Sequence, residues 1–166
     1  MQLGALTLAG NGCFGSSNVI TISGDEGRYA FPIRAKLNKK SDTSFDRKTC
    51  NLRLPIAVAP NEKVQLIDLS QVVRVVAYKG AQVKTNLNMG FAGKTTPPLS
   101  YNLDVSDDEI STAEILKSPG VLVESECGKD AMLTGNLSLL VNGTGAQAFV
   151  STGTALLTLK VVSCNH

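Results

Sequence analysis

The sequence predicts an all-β protein: an antiparallel β-sandwich, immunoglobulin-like or jelly-roll-like, with two disulfides and at most one short helix. Three observations carry that prediction. Apolar residues alternate with polar ones over short runs rich in Val, Ile, Leu and Thr, and only a period of two gives a strand one dry and one wet face. The runs are separated by Gly, Pro, Asn and Ser clusters such as "SGDEG", "AGKTTPP", "KSPG" and "NGTG". Four cysteines are spread along the 166 residues with no CxxC pair among them, the usage of a disulfide framework rather than of a metal site.

Taken in order, "NVITISG" (18–24) is β-branched and alternates. "RYAFPIRAKL" (28–37) alternates Tyr29, Phe31, Ile33, Ala35 and Leu37 against the residues between them. Pro32 has no N–H for a ladder, so this strand is expected at an edge or with a bulge. "CNLRLPIAVAP" (50–60) follows, and then "KVQLIDLSQVVRVVAYKG" (63–80), long enough to bend or to form two strands. "AQVKTNLNMGFAG" (81–93) and "LSYNLDV" (99–105) read as strands. "SDDEISTAEILKSPG" (106–120) offers a capping box, Ser106 with Glu109, and stops at Pro119, which is a helix signature. Its "EISTAEIL" is equally acceptable as a strand. "GVLVESE" (120–126), "AMLTGNLSLLVNG" (131–143) and "ALLTLKVVS" (155–163) complete the set. "VNGTG" (141–145) signals a hairpin, because Asn-Gly accepts the positive φ of a type I′ turn. No repeat, linker or low-complexity tract divides the chain, so residues 1–166 are read as one domain.

Composition excludes several classes. Apolar residues make up 43% and charged ones 18%, which is globular rather than disordered. A net charge of +2 provides no overall field for nucleic acid or for a membrane surface. No apolar run approaches the roughly 18 residues of a spanning helix. "MQLGALTLAG" has neither a basic n-region nor a long apolar h-region; export therefore implies that a signal peptide has been removed ahead of it. Cys13, Cys50, Cys127 and Cys164 form two pairs each 37 residues apart. Four cysteines allow three connectivities. Cys13–Cys50 with Cys127–Cys164 is the preferred one, because each bond then pins a terminal region to a neighbouring strand, for roughly 3–4 kcal/mol per closed loop.

Candidate chemistry is sparse. Cys13, in "LAGNGCFGSS", is no lipid anchor, since Gly10 stands where the lipobox leucine belongs. It is no nucleophile either: the one histidine is His166, the last residue, and a thiolate or serine needs a base beside it. The glycines of "GNGCFG" and "GTGAQAF" lack a P-loop lysine. Asp104, Asp107, Asp108 and Glu109 lie close enough to be a weak calcium candidate, against the plainer reading of acids favouring a helix N-terminus. No other metal and no cofactor is expected. The cations Arg34, Lys36, Lys39, Lys40, Arg47, Lys48 and Arg53 crowd a short stretch interrupted by Asp42 and Asp46: either a solvated hairpin or a patch for an anionic polymer. There is no tryptophan. Of Phe14, Tyr29, Phe31, Phe45, Tyr78, Phe91, Tyr101 and Phe149, most are expected in the core, with Phe45 the best exposed candidate for stacking on a sugar ring. Asn136 and Asn142 head glycosylation sequons; Asn142 is also explained by its turn.

"GNGC", "DRKTCNLRLPIAVAPNEKVQLIDLSQVVRVVAYKG", "ESECGKDAMLTGNLSLLV" and the terminal "LKVVSC" together resemble an uncharacterised secreted four-cysteine family of bacteria and fungi. Its pattern is Gly-x-Gly-Cys, then Arg-Lys-x-Cys (here Arg47, Lys48, Cys50), a Tyr-Arg-Gly turn (Tyr78 and Gly80, with Lys79 for arginine) and Cys-Gly (Cys127, Gly128). Phe14 replaces a proline after the first cysteine, and "SECG" replaces a Ser-Pro-Cys-Gly stretch. The resemblance implies export, disulfides and a β-rich fold, and no chemistry. The expectation is a secreted, extracellular or periplasmic, envelope-associated module that is not an enzyme. It engages a cell-surface polymer or an extracellular protein through Arg34, Lys36, Lys39, Lys40, Phe45, Arg47 and Lys48. The alternatives are a secreted inhibitor of a protease or hydrolase, presenting a loop such as "AGKTTPPLS", and a hydrolase built on paired carboxylates.

Overall fold

The computed structural model describes residues 1–15, 20–22 and 27–164. Its strands, in chain order, are β1 (Gln2–Leu3), β2 (Thr7–Ala9), β3 (Thr21–Ile22), β4 (Arg28–Phe31), β5 (Lys36–Lys39), β6 (Phe45–Ala57), β7 (Glu62–Tyr78), β8 (Gln82–Phe91), β9 (Lys94–Thr95), β10 (Leu99–Asp104), β11 (Glu109–Glu124), β12 (Ala131–Asn142), β13 (Ala148–Thr152) and β14 (Ala155–Ser163). All pairings are antiparallel and no helix occurs among the described residues. The first sheet runs β1-β6-β12-β8-β10, with β2 also on β6 and β9 also on β8. The second is centred on β7: β11 runs along one side, β14 and then β13 along the other, with β4 beyond β14, β5 beyond β13 and β3 beyond β4. The two sheets form a sandwich around one core of Leu, Val, Ile, Ala and Met with Phe31 and Phe91.

The alternation that predicts strands also shows where they break. In β7 the buried positions are Val64 and Leu66, then Leu69, Gln71, Val73, Val75 and Ala77. The parity flips at Asp68, whose φ is +54°. An extra residue there re-aims the strand, and both neighbours change register beside it, β14 between Leu156 and Thr158 and β11 between Ser118 and Val121. The Asp68 carboxylate accepts the Gly120 N–H at 2.6 Å. The 63–80 segment is thus one bent strand that ends at Tyr78, followed by a turn at Lys79 and Gly80. Residues 28–37 are two strands instead of one: the ladder stops at Phe31, before Pro32, and resumes at Lys36. Gln71 lies buried beneath that gap and donates to the carbonyls of Ile33 and Gly153, so the interruptions of both outer strands are satisfied by one amide.

Two sequence signals fail. Residues 106–120 are not helical: Glu109 to Ser118 pair in unbroken register with Tyr78 to Leu69, a gain in ladder bonds that outweighs a local cap. "VNGTG" is not a hairpin, because β12 and β13 lie in different sheets. Gly143 turns the chain across the sandwich, its N–H bonded to the Ser44 carbonyl. Of the "NVITISG" strand, residues 18, 19, 23 and 24 lie outside the described residues.

Both expected disulfides are present, with Cα–Cα distances of 4.8 Å for Cys13–Cys50 and 5.9 Å for Cys127–Cys164. The first closes a corner. Gly12 donates to the Thr49 carbonyl in the first sheet and accepts from the Lys36 N–H in the second. The "GNGC" glycines follow from that approach: Gly10 has φ +135°, and a Cβ on it would lie 2.2 Å from the Thr49 oxygen. The second disulfide joins the ends of the strands flanking β7, where Gly128 and Cys164 donate to the Glu62 and Asn61 carbonyls.

Candidate binding face

Strand alternation splits the basic stretch that the sequence presents as one patch. Arg34 and Lys36 point outward from the second sheet and each sits 5.4 Å from the centroid of the Phe14 ring. Lys40 is exposed in the turn before β6. Lys48 shares the inward parity of β6 and is half-buried against Gly12. Lys39 has to be corrected outright: it is fully buried, with Nζ donating to the carbonyls of Ala146 and Lys40. It closes the end of the sandwich and offers nothing to a ligand. Phe45, 61% exposed, and Arg47 lie together on the outward face of the first sheet.

The aromatic residues are also placed otherwise than expected. Phe31 and Phe91 alone are buried, while Tyr78 and Phe149 are exposed at 39% and 42%. Tyr101 is half-buried, and its hydroxyl is held above its usual pKa by burial and then by the charge of Glu114. Asp104 ends β10, and Asp107 and Asp108 form the turn into β11. That turn is tied down by backbone bonds from Lys79 and Gly80 to Asp108 and Val105. Among the described residues no three metal-ligating side chains gather, so the calcium candidate is not assembled. The "AGKTTPPLS" loop is pinned close to the sheet, with Thr96 exchanging backbone and hydroxyl bonds with Met89.

The register of β6, β12, β8 and β10 assembles something the sequence does not announce. Adjacent positions across these strands form rows on the outward face: Arg47, Leu140, Lys84 and Asn102 in one, Thr49, Ser138, Asn86 and Ser100 in the next, Asn51, Asn136 and Asn88 in a third. Phe45, Asn142, Gln82 and Asp104 make the row at one end; at the other come Arg53 with Thr134 and, beyond them, Pro55 with the exposed Met132. The middle of the face is a lawn of amides and hydroxyls, bordered by charged and apolar side chains, on a lattice of about 4.8 Å across strands and about 6.8 Å along them. Asn136 donates to the Asn88 side-chain oxygen at 3.3 Å. A shallow recess of about 340 Å³ lies over Arg47, Leu140, Lys84, Asn86 and Asn102. The two ion pairs among the described residues, Lys63–Glu124 and Lys129–Glu126, are elsewhere, so none of Arg47, Lys84 and Arg53 is ion-paired among the described residues. A signal for this face does exist in the sequence. Most wet positions of "KTNLN", "SYNLD" and "TGNLSLLVN" are amides and hydroxyls, the exceptions being Lys84, Asp104 and Leu140.

A family profile described as "Domain of unknown function (DUF4360)" matches residues 1–163. No curated protein sequence matches the chain. Among solved structures, TmCBM61 in complex with β-1,4-galactotriose is 10% identical over 95% of this chain and 88% of that one, with a TM-score of 0.29. A family 11 carbohydrate-binding module from Clostridium thermocellum, in complex with a β-1,3-1,4-mixed-linked tetrasaccharide, is 7% identical over 99% and 89%, with a TM-score of 0.28. The enzymatically active domain of tailspike protein 4 from bacteriophage CBA120 is 14% identical over 94% of this chain and 19% of that one, with a TM-score of 0.29. At these scores the alignments assign neither ligand nor activity here.

Proposed function

The chain belongs to the DUF4360 family of domains of unknown function, and since that membership brings no chemistry with it, we propose from the surface itself that the protein is a non-catalytic binding module. In this reading it works as a single domain outside the reducing cytosol, and the outward face of its first sheet holds an acidic polysaccharide. The observation that carries the reading is Arg47 and Lys84 flanking Leu140, with no acid among the described residues in ion-pair range, beside central rows made of amides and hydroxyls. A hydroxyl-rich polymer is held by many modest hydrogen bonds, about 1 kcal/mol each and roughly twice that where one partner is charged. Asn, Ser and Thr supply them from short side chains with little rotamer freedom to lose. Leu140 provides an apolar floor for ring C–H groups, and Phe45 a stacking surface at the margin. Two disulfides suit an oxidising compartment, and no helix among the described residues is long and apolar enough to cross a membrane. The disulfides support export.

The test is titration calorimetry with polygalacturonate and, beside it, a neutral galactan. Polygalacturonate binding is expected, weakened by added salt. Arg47→Ala/Lys84→Ala should lower its affinity at least tenfold. Asn86→Ala/Asn136→Ala should weaken whatever binding either polymer shows. Polygalacturonate affinity indifferent to both double variants, or no binding to either polymer, overturns the proposal.

A further inference from the structure

β11 lies at the side of the sandwich with nothing bonded to its outer edge. It pairs with β7 along its length and with no other strand among the described residues. A long unpaired edge is an open template for another strand. We propose that this edge pairs with a second copy of the same chain, antiparallel about a two-fold axis at Ala113, continuing the second sheet through both protomers.

The register follows from the residues. The regular part of β11 is bounded. It begins at Glu109, after the Asp107–Asp108 turn, and ends at Ser118, where Pro119 brings no N–H and the Gly120 N–H is already taken by Asp68. Residues opposite one another in a sheet must share a face, so a two-fold axis has to pass through a residue position rather than between two. Ala113 is at the centre of the regular stretch. An axis there sets Glu109 opposite Lys117 of the partner subunit, twice by symmetry, and Ser111 opposite the partner's Ile115. On the inner side Ile110 meets the partner's Leu116, and Thr112 meets the partner's Glu114. Opposite charges directly across an antiparallel pair are favourable and like charges are not. Moving the axis to Thr112 sets Glu109 against the partner's Ile115 and Ile110 against the partner's Glu114. Moving it to Glu114 sets that carboxylate against its own copy. Of these axes only Ala113 sets Glu109 against the partner's Lys117 while leaving the third charge, Glu114, opposite a neutral residue, and it also covers Ile115, which is 63% exposed in a single chain.

Continuing a sheet requires the two-fold to stand perpendicular to it. The first sheets of both protomers then lie on the same side of the dimer, with their outward faces pointing the same way. If those faces bind a polymer, as proposed above, one chain can engage both, and avidity multiplies a modest single-site affinity. The pairing itself does not rest on that reading.

Sedimentation equilibrium of the full chain without polymer tests the proposal. The expected mass at high concentration is twice the 17.5 kDa of one chain. Glu109→Lys and Lys117→Glu each create two like-charge pairs and should each weaken association at least tenfold. The Glu109→Lys/Lys117→Glu double variant reverses both signs and should restore it. Both positions are exposed, and circular dichroism checks that the variants are folded. A wild-type monomer at all concentrations, a dimer indifferent to either single reversal, or a double variant that stays monomeric overturns the register and the proposal. Polymer binding by a monomeric variant at single-site affinity leaves the proposed function standing, so the two readings fail separately.

Discussion

Removing each disulfide in turn separates chain entropy from packing, because the two bonds close loops of equal length. Both cysteine pairs are 37 residues apart. The loop-closure relation gives each roughly 4 kcal/mol of destabilisation of the unfolded chain. Their surroundings differ. Cys50 is fully buried, between Thr49 and Asn51 of β6, whereas Cys127 is exposed and Cys164 half-buried. Cys127→Ala/Cys164→Ala should therefore lose about the entropic amount. Cys13→Ala/Cys50→Ala should lose about 1 kcal/mol more, since deleting a buried sulfur leaves a void that the surrounding core fills only in part. The assay is urea unfolding followed by far-ultraviolet circular dichroism. The chain has no tryptophan, and the m-value reports whether the unfolded state has expanded. Equal losses, or a larger loss for the Cys127–Cys164 pair, would refute the assignment of Cys13–Cys50 to the core.

Lys39→Met should destabilise by about 1–3 kcal/mol although it removes a buried charge: the Ala146 carbonyl loses its donor, and an unpaired buried acceptor carries that cost, while the Lys40 carbonyl keeps the Thr43 hydroxyl. The same urea titration reads it, and a neutral or stabilising outcome contradicts the role given to the amine. The Glu124 carboxyl is held below its ordinary pKa, first by the hydrogen bond from Lys63 and then by that from Gln65. A lowered folded-state pKa gives stability that is present above the unfolded-state value and is lost as pH falls through the folded one. Glu124→Gln should thus be less stable than wild type at neutral pH, by under about 1 kcal/mol at so exposed a pair. The gap should close on acidification, and one that widens toward low pH reverses the argument.

Much of the fold is legible because burial and alternation coincide. Phe31, Leu52, Leu54, Val83 and Leu137 are core positions that period two alone selects. The cysteine pairing is legible because strands adjacent to the termini are the natural places to staple. What fails does so where a contact distant in sequence overrides a local signal. Glu109 to Ser118 satisfy a helix cap on paper, but a neighbour some thirty to fifty residues earlier, β7, supplies the ladder that wins. Asn142-Gly143 carries a hairpin signal, but Ser44 supplies the hydrogen bond that sends the chain across to the other sheet. Lys39 reads as one more surface cation because nothing local shows that its amine meets Ala146.

The proposed binding face was hidden for a related reason. A stretch of cations close in sequence looks like a patch, yet on a strand, neighbours i and i+1 point to opposite sides, so "RAKLNKK" and "DRK" distribute their charge over two faces and the interior. A patch on a sheet is instead built from residues distant in sequence and adjacent in register. Arg47, Leu140, Lys84 and Asn102 come from four strands. Fixing such a row depends on the inward side of the same strands. Cys50 anchors β6 between Thr49 and Asn51, and Leu137 and Leu139 lock β12 on either side of Ser138. Rigid placement of short polar side chains limits the ordering entropy a ligand would otherwise have to offset. In the proposed reading, the protein's stability and its affinity are therefore set by opposite faces of the same strands. Substitutions at the amide positions should alter binding while leaving the sandwich intact, because those side chains stand outside the core.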